Sequence, residues 1–152
     1  MQEEVVPHDE RWQEQGYVDR DVWLKAGANG FLCMSMPEQY GGSDADKLFS
    51  VIQFEELARV GTSGIGYSLH SEIVAPYILH YGTPEQKAKY LPKLATGEMI
   101  GAIAMSEPAA GSDLQGIKST CIWQPGPSGS EPDGHYLLNG SKTFITNGWH
   151  AD

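Results

Sequence analysis

Ala104-Met105-Ser106-Glu107-Pro108-Ala109-Ala110-Gly111-Ser112-Asp113 carries an apolar run directly into a loop of small residues with a hydroxyl at each end. Ile100 to Ser106 reads as a short strand, and the loop after it lets backbone N–H groups approach a phosphate or a planar heterocycle closely. Ser106 and Ser112 add oriented donors. Taken alone, the stretch could be an ordinary strand-to-turn connection. It gains weight from Lys142-Thr143-Phe144-Ile145-Thr146-Asn147-Gly148, a second segment of related chemistry further along the chain.

Upstream of this stretch the sequence reads as helical. Asp19 can cap a helix through about Ala28, with Val22, Trp23 and Ala26 on one stripe and Gly27 and Gly30 near its end. Phe31 to Gly42 contains Pro37, Gly41 and Gly42 and reads as a connector. Ser43, with Asp46 three residues on, predicts a helix over 44–60 whose apolar face holds Leu48, Ile52 and Phe54 to Ala58, stopped by Gly61. From Gly64 to Tyr81 a second apolar helical stretch must kink or split at Pro76. Thr83-Pro84-Glu85-Gln86 joins a hydroxyl cap, a first-turn proline and a glutamine three residues after the cap, and Pro92 and Gly97 bound the segment after it.

Downstream the period shortens. Ile117 to Trp123 alternates with period 2, and Tyr136 to Leu138, Asn139-Gly140 and Lys142 to Thr146 read as a hairpin with a type I′ turn. Between Trp123 and His135 lies a proline-, glycine- and serine-rich loop that reads as mobile. The fold class expected is therefore α+β: a helical domain over residues 1–97, then an incomplete middle β domain over 98–152. Three or four strands are short of a closed barrel, so Asp152 reads as a truncation point. No internal repeat is visible.

Composition narrows the function. The 152 residues carry 40% hydrophobic and 20% charged side chains, a globular balance, and a mean hydropathy of −0.36 suits a soluble chain. Ten Lys and Arg against 20 Asp and Glu give a net charge of −10, a field that repels nucleic acid and anionic lipid. Residues 1–60 hold 12 of those acidic groups and five of the basic ones, so any anionic ligand must be held locally by N–H groups and hydroxyls. Cys33 and Cys121 form no CxxC pair and read as buried free thiols. The acidic N-terminus has no apolar core of a signal peptide, and no window is long enough to span a bilayer, so stable membrane insertion is not expected.

Other chemistries fail on spacing. Gly66-Tyr67-Ser68-Leu69-His70 lacks the last glycine of a nucleophile elbow. The five histidines show no metal-pair spacing, so no metal site is expected, and His70 and His80 read as polar members of helices. Glu107 and Asp113 could be acids, yet turn and cap roles suit them better. Phe144 could be a plain core residue.

The segments Met105-Ser106-Glu107-Pro108 with Gly111-Ser112-Asp113, and Asn139-Gly140-Ser141-Lys142 with Ile145-Thr146-Asn147-Gly148, resemble the acyl-CoA dehydrogenase family in order and spacing. Pro37-Glu38 with Gly41-Gly42, and Tyr81-Gly82-Thr83 with Glu85-Gln86, extend the resemblance over nearly the whole chain. Ser68-Leu69-His70-Ser71, Pro76-Tyr77-Ile78, Gly101 to Met105 and Gly148-Trp149 look most like its long-chain-specific branch.

The resemblance implies an N-terminal helical domain, the start of a β-barrel domain, and a C-terminal four-helix domain absent from these residues. It implies α,β-dehydrogenation of a fatty acyl-CoA with FAD as cofactor, in fatty-acid β-oxidation, with the proton-abstracting carboxylate beyond Asp152 and no catalytic residue in this chain. It further implies an electron-transferring flavoprotein as acceptor, a homotetramer at full length, and a mitochondrial matrix location if eukaryotic, otherwise cytoplasmic. In the flavin shell it places Ile103, Ala104, Met105 and Ser106 along the ring, the Met105 and Ser106 backbone at its pyrimidine edge. Gly111 and Ser112 fall at the phosphate side, with Ser112 also facing the pantetheine arm of the substrate. Phe144, Ile145 and Thr146 form the second segment, the Phe144 ring beside the isoalloxazine and the Thr146 hydroxyl toward N5. Ala109 stands where the family usually has glycine, Phe144 where tryptophan is commoner, and the 124–134 insertion is longer than usual. An acyl-CoA oxidase shares the fold, although Glu107-Pro108 and Gly111-Ser112-Asp113 favour the dehydrogenase; a further alternative is an inactive truncated product that pairs with full-length subunits.

Overall fold

Helix ends in this chain are set by local chemistry. Thr83 accepts the Gln86 N–H at 3.3 Å while the Gln86 side chain accepts the Thr83 N–H at 2.8 Å, a reciprocal cap that opens a helix over Pro84–Thr96. The computed structural model describes residues 1–127 and 133–152; the tip of the proline- and glycine-rich loop, 128–132, lies outside the described residues. In chain order the helices are α1 Asp9–Gln15, α2 Arg20–Ala28, α3 Lys47–Arg59, α4 Tyr67–Leu69, α5 Ala75–Tyr81 and α6 Pro84–Thr96, followed by strands β1 Thr120–Gln124 and β2 His135–Asn139. The described chain is mostly helical with a two-stranded antiparallel sheet, an α+β arrangement.

It divides into two compact units: Met1–Ile103 with Thr146–Asp152, and Ala104–Ile145. In the first, Val5, Trp12, Val18, Val22, Trp23, Ala26, Leu32, Tyr67 and Ile100 form one buried cluster. Cys33, Met36, Ala75, Leu91, Leu94 and Ala95 form another. The stripe expected on α2 is thus buried, and the 31–42 connector contributes Leu32, Cys33 and Met36 to the core. Helices α2 and α6 approach closely through Gly97, at φ +76, where a Cβ would stand 2.3 Å from Trp23 O. Between α4 and α5 the chain widens into a π turn over His70–Val74, just before Pro76. Proline offers no N–H to the previous turn and its ring crowds the carbonyl there, so the wider turn absorbs the break without ending the helical run.

Several expectations are corrected. Asp19 occupies the cap position of α2 but its carboxylate pairs with Arg11 and accepts from Gln15 at 3.1 Å, closing no cap bond. Helix α3 opens at Asp46, whose carboxylate accepts the Leu48 N–H at 2.8 Å, and not at Ser43. The start of its expected inner face points outward, Leu48 and Ile52 being 65% and 54% exposed, while Phe54 is half-buried, Leu57 packs against the first cluster, and Ser50 and Gln53 are buried. Ser50 donates to Glu72 at 2.7 Å and Gln53 to Phe31 O at 2.7 Å, so hydrogen bonds seat that side together with the apolar contact of Leu57. Pro92 lies inside α6 and does not bound it. Cys33 is buried, and burial pushes its thiol up to about 12, but Cys121 is exposed on β1.

The strand expected over Ile100 to Ser106 does not form: side chains take the N–H groups at its start, and among the described residues no strand lies beside it to pair with. Asp152 accepts the Ile100 N–H at 3.0 Å, and His70 accepts the Gly101 N–H at 3.0 Å. Nor do Tyr136–Leu138 and Lys142–Thr146 pair. β2 returns instead onto β1, Thr120 opposite Asn139 and Gln124 opposite His135. Gly140 packs on Ser119, whose Oγ would stand 2.0 Å from a Cβ there, and Phe144 and Asn147 leave the extended region at φ 55 and 64.

Candidate functional site

In the second unit, the loop after the apolar run folds tightly on itself. Glu107 N–H donates to Ala110 O at 2.9 Å and Ala110 N–H to Glu107 O at 3.0 Å. Ala109 sits exposed in this turn and is not among the residues with positive φ, so its extra methyl strains nothing. Asp113 caps a short 3₁₀ turn, Leu114–Gly116, by accepting the Gln115 N–H at 3.2 Å. Glu107 is the anchor. Its buried carboxylate accepts the Lys118 N–H at 2.7 Å and the Ser119 N–H at 3.0 Å, and meets Lys142 Nζ at 2.9 Å. The Ser119 side chain beside it, then the Lys118 N–H and the Lys142 ammonium, hold the carboxyl at about 2, although Ser119 Oγ closes no hydrogen bond of normal geometry. Both acidic candidates therefore have the turn and cap roles expected of them, and Glu107 is too weak a base to take a proton from carbon.

Lys142 and Thr143 also hold the chain at Met105 and Ser106. Lys142 Nζ donates to Met105 O at 3.1 Å, and the Thr143 N–H donates to Ser106 O at 3.0 Å. The carbonyls of Met105 and Ser106 are thus occupied. Among the described residues their N–H groups have no protein acceptor. Phe144 is 93% exposed at φ 55, an aromatic ring held outward on a left-handed backbone, which corrects the core reading. Ala104, Gly111 and Ser112 are exposed, Ile145 is half-buried, and a Cβ on Gly111 would meet nothing within 4 Å. Free paired donors, an exposed ring and an open small-residue loop suit a planar heterocycle carrying phosphate.

Ile103 and Thr146 lie in the first unit, half-buried and exposed respectively. Two residues of that unit, met in the sequence only as a polar helix member and as part of a family segment, make contacts that the sequence did not show. His70 is fully buried and bonds at both ring nitrogens, to Leu94 O at 2.9 Å and to the Gly101 N–H at 3.0 Å. Asn147 Nδ2 donates to Gly66 O and Gly101 O, both at 3.1 Å. A cavity of about 520 Å³ in this unit is lined by Tyr77, Tyr81, Tyr90 and Gly101 among others. Among the described residues no cluster of His, Cys, Asp or Glu could hold a metal ion, and no helix is long and apolar enough to cross a membrane.

A family profile described as acyl-CoA dehydrogenase, N-terminal domain, matches residues 1–98. The mitochondrial long-chain specific acyl-CoA dehydrogenase of Mus musculus is 49% identical over 152 residues, 100% of this chain and 34% of that protein. Among solved structures, an acyl-CoA dehydrogenase from Geobacillus kaustophilus matches with a TM-score of 0.88 at 51% identity, over 99% of this chain and 38% of that one. An acyl-CoA dehydrogenase from Bacillus anthracis, complexed with FAD, matches with a TM-score of 0.83 at 40% identity, over 99% and 25%. The chain belongs to the acyl-CoA dehydrogenase family. It spans about a third of the length of the curated relatives it matches, 34% of the first.

Proposed function

We propose that these residues form the amino-terminal part of an FAD-dependent dehydrogenase that converts long-chain fatty acyl-CoA thioesters to trans-2-enoyl-CoA in fatty-acid β-oxidation. Residues 1–97 supply its helical domain and 98–152 the first part of its β-barrel domain. The observation that carries the reading is the pair of unclaimed N–H groups on Met105 and Ser106, whose carbonyls are fixed by Lys142 and Thr143.

FAD, when bound, would accept the hydride leaving the substrate β-carbon. The Met105 and Ser106 N–H groups would donate to its pyrimidine edge, where fixed donors favour negative charge without reorganising. The Ser106 hydroxyl would add a donor, Ile103 and Ala104 would hold the ring's edge, and Phe144 and Ile145 would shield it from water. Thr146 would offer its hydroxyl to N5. Gly111 leaves the approach to phosphate open, and Ser112 hydrogen-bonds the pantetheine arm of the substrate. The α-proton is taken by a carboxylate outside these residues, since Glu107 is committed to its turn. Mouse long-chain specific acyl-CoA dehydrogenase is described as mitochondrial, which supports a matrix location here. An electron-transferring flavoprotein as acceptor and a homotetramer complete the proposal.

The test is the visible spectrum of the purified protein containing this segment. Flavin bands that bleach on adding a long-chain acyl-CoA are expected; flavin that never bleaches with any acyl-CoA would overturn the substrate class.

A further inference from the structure

Gly101 is gripped at both of its backbone polar groups by side chains from distant parts of the chain. Its N–H donates to His70 Nδ1, 31 positions away, and its carbonyl accepts from Asn147 Nδ2, 46 positions away. A backbone N–H can only donate, so Nδ1 is the bare nitrogen and Nε2 carries the proton that Leu94 O accepts at 2.9 Å. The two backbone partners therefore fix one neutral tautomer. Burial favours the same form by lowering the histidine's affinity for a second proton.

The asparagine end is equally specified. Asn147 stands at φ 64, and its Nδ2 also donates to Gly66 O at 3.1 Å. A Cβ at Gly66 would lie 2.0 Å from Asn147 Oδ1, so glycine makes room for the amide. A residue held at one backbone group can tilt; held at both, it cannot.

The neighbours of Gly101 along the chain show the use of this double grip. Ile103 stands two residues after Gly101, and Thr146 immediately before Asn147. The chain leaves the first compact unit after Ile103 and re-enters it at Thr146. We infer that His70 and Asn147 are positioning residues that act through Gly101 to set Ile103 and Thr146 for the flavin; the inference rests on the FAD-dependent function proposed for this segment. Orphaned groups on Gly101 alone could have been satisfied by a local turn. The two partners instead tie the exit of one flavin segment to the return of the other.

The test uses the purified flavin-loaded protein, with Gly101 amide exchange, FAD affinity, the flavin midpoint potential and substrate kinetics as readouts. Asn147→Gly keeps the left-handed backbone and removes the grip. It is expected to speed Gly101 amide exchange and raise the FAD dissociation constant about 5- to 30-fold, with a shifted flavin potential and a fall in kcat at nearly constant KM. His70→Ala should do the same, while His70→Asn, whose amide oxygen can accept the Gly101 N–H, should recover most of the loss. Faster Gly101 exchange with FAD affinity and potential indistinguishable from wild type would overturn the inference and leave the flavin reading standing. Wild-type protein that takes up no FAD would overturn the flavin reading itself, and this inference with it.

Discussion

Lys142 Nζ bridges Glu107 at 2.9 Å and Met105 O at 3.1 Å, so one ammonium fixes both the carboxylate anchor of the small-residue loop and the carbonyl beside the proposed flavin donors. Glu107 is buried and its carboxyl is held at about 2 against an ordinary 4.5. A carboxyl depressed on folding contributes stability above its unfolded value and loses it as pH falls toward the folded one. The contribution should therefore be complete above pH 4.5 and fade between that value and about 2.

Glu107→Gln should remove this acid-dependent part. Its thermal midpoint is expected to lie below wild type at pH 7 and to converge with it as the pH approaches about 3, inside the window set by the depressed carboxyl. Parallel melting curves for the two proteins across that range would show that the loop does not depend on the carboxylate.

His70 gives the opposite case of a base kept neutral. Its pKa is lowered from 6.5 by burial, so its contribution is present above that value and is lost as pH falls below it. His70→Leu removes the acceptor of a buried N–H, at about 1 to 3 kcal/mol, and should destabilise the protein at about pH 7.5 in urea unfolding. Because the variant has no imidazole to protonate, the gap should narrow toward about pH 5. A gap that widens on acidification would contradict the neutral tautomer.

Gly97 closes α6 at φ +76 against Trp23 O. Gly97→Ala meets both backbone strain and overlap with a carbonyl that cannot retreat without moving α2. A loss of at least about 2 kcal/mol is expected in chemical denaturation. Gly30→Ala, at φ +71 with nothing near its Cβ, is the control that isolates strain alone and should cost less.

Thr146→Ala tests the proposed hydroxyl at N5. A donor that strengthens only as hydride arrives acts on the rate, so flavin reduction should slow about 5- to 100-fold, or roughly 1 to 3 kcal/mol, with FAD binding little changed. Stopped-flow rates within about twofold of wild type would remove Thr146 from the flavin shell.

The sequence by itself determined what short-range chemistry controls. Thr83 and Gln86 lie three residues apart and cap each other wherever the chain goes, and Gly97 ends α6 because its backbone accepts the left-handed turn. The segments 105–113 and 139–148 were enough to place the chain in its family, since their order and residue types are local facts. Tertiary structure decided everything that depends on a distant partner. Ile100 to Ser106 has the composition of a strand, but His70, Asn147, Asp152, Lys142 and Thr143 claim its hydrogen-bonding groups. The apolar side of α3 looked like core because periodicity cannot tell which face has a neighbour, and Glu72 and Phe31 O drew the polar side inward. β2 chose β1 over the residues after Asn139-Gly140, because a ladder forms where two extended segments meet and Phe144 is held at positive φ. Caps and turns are satisfied within a few residues; burial and pairing are satisfied across tens of them, and a linear pattern does not record who arrives.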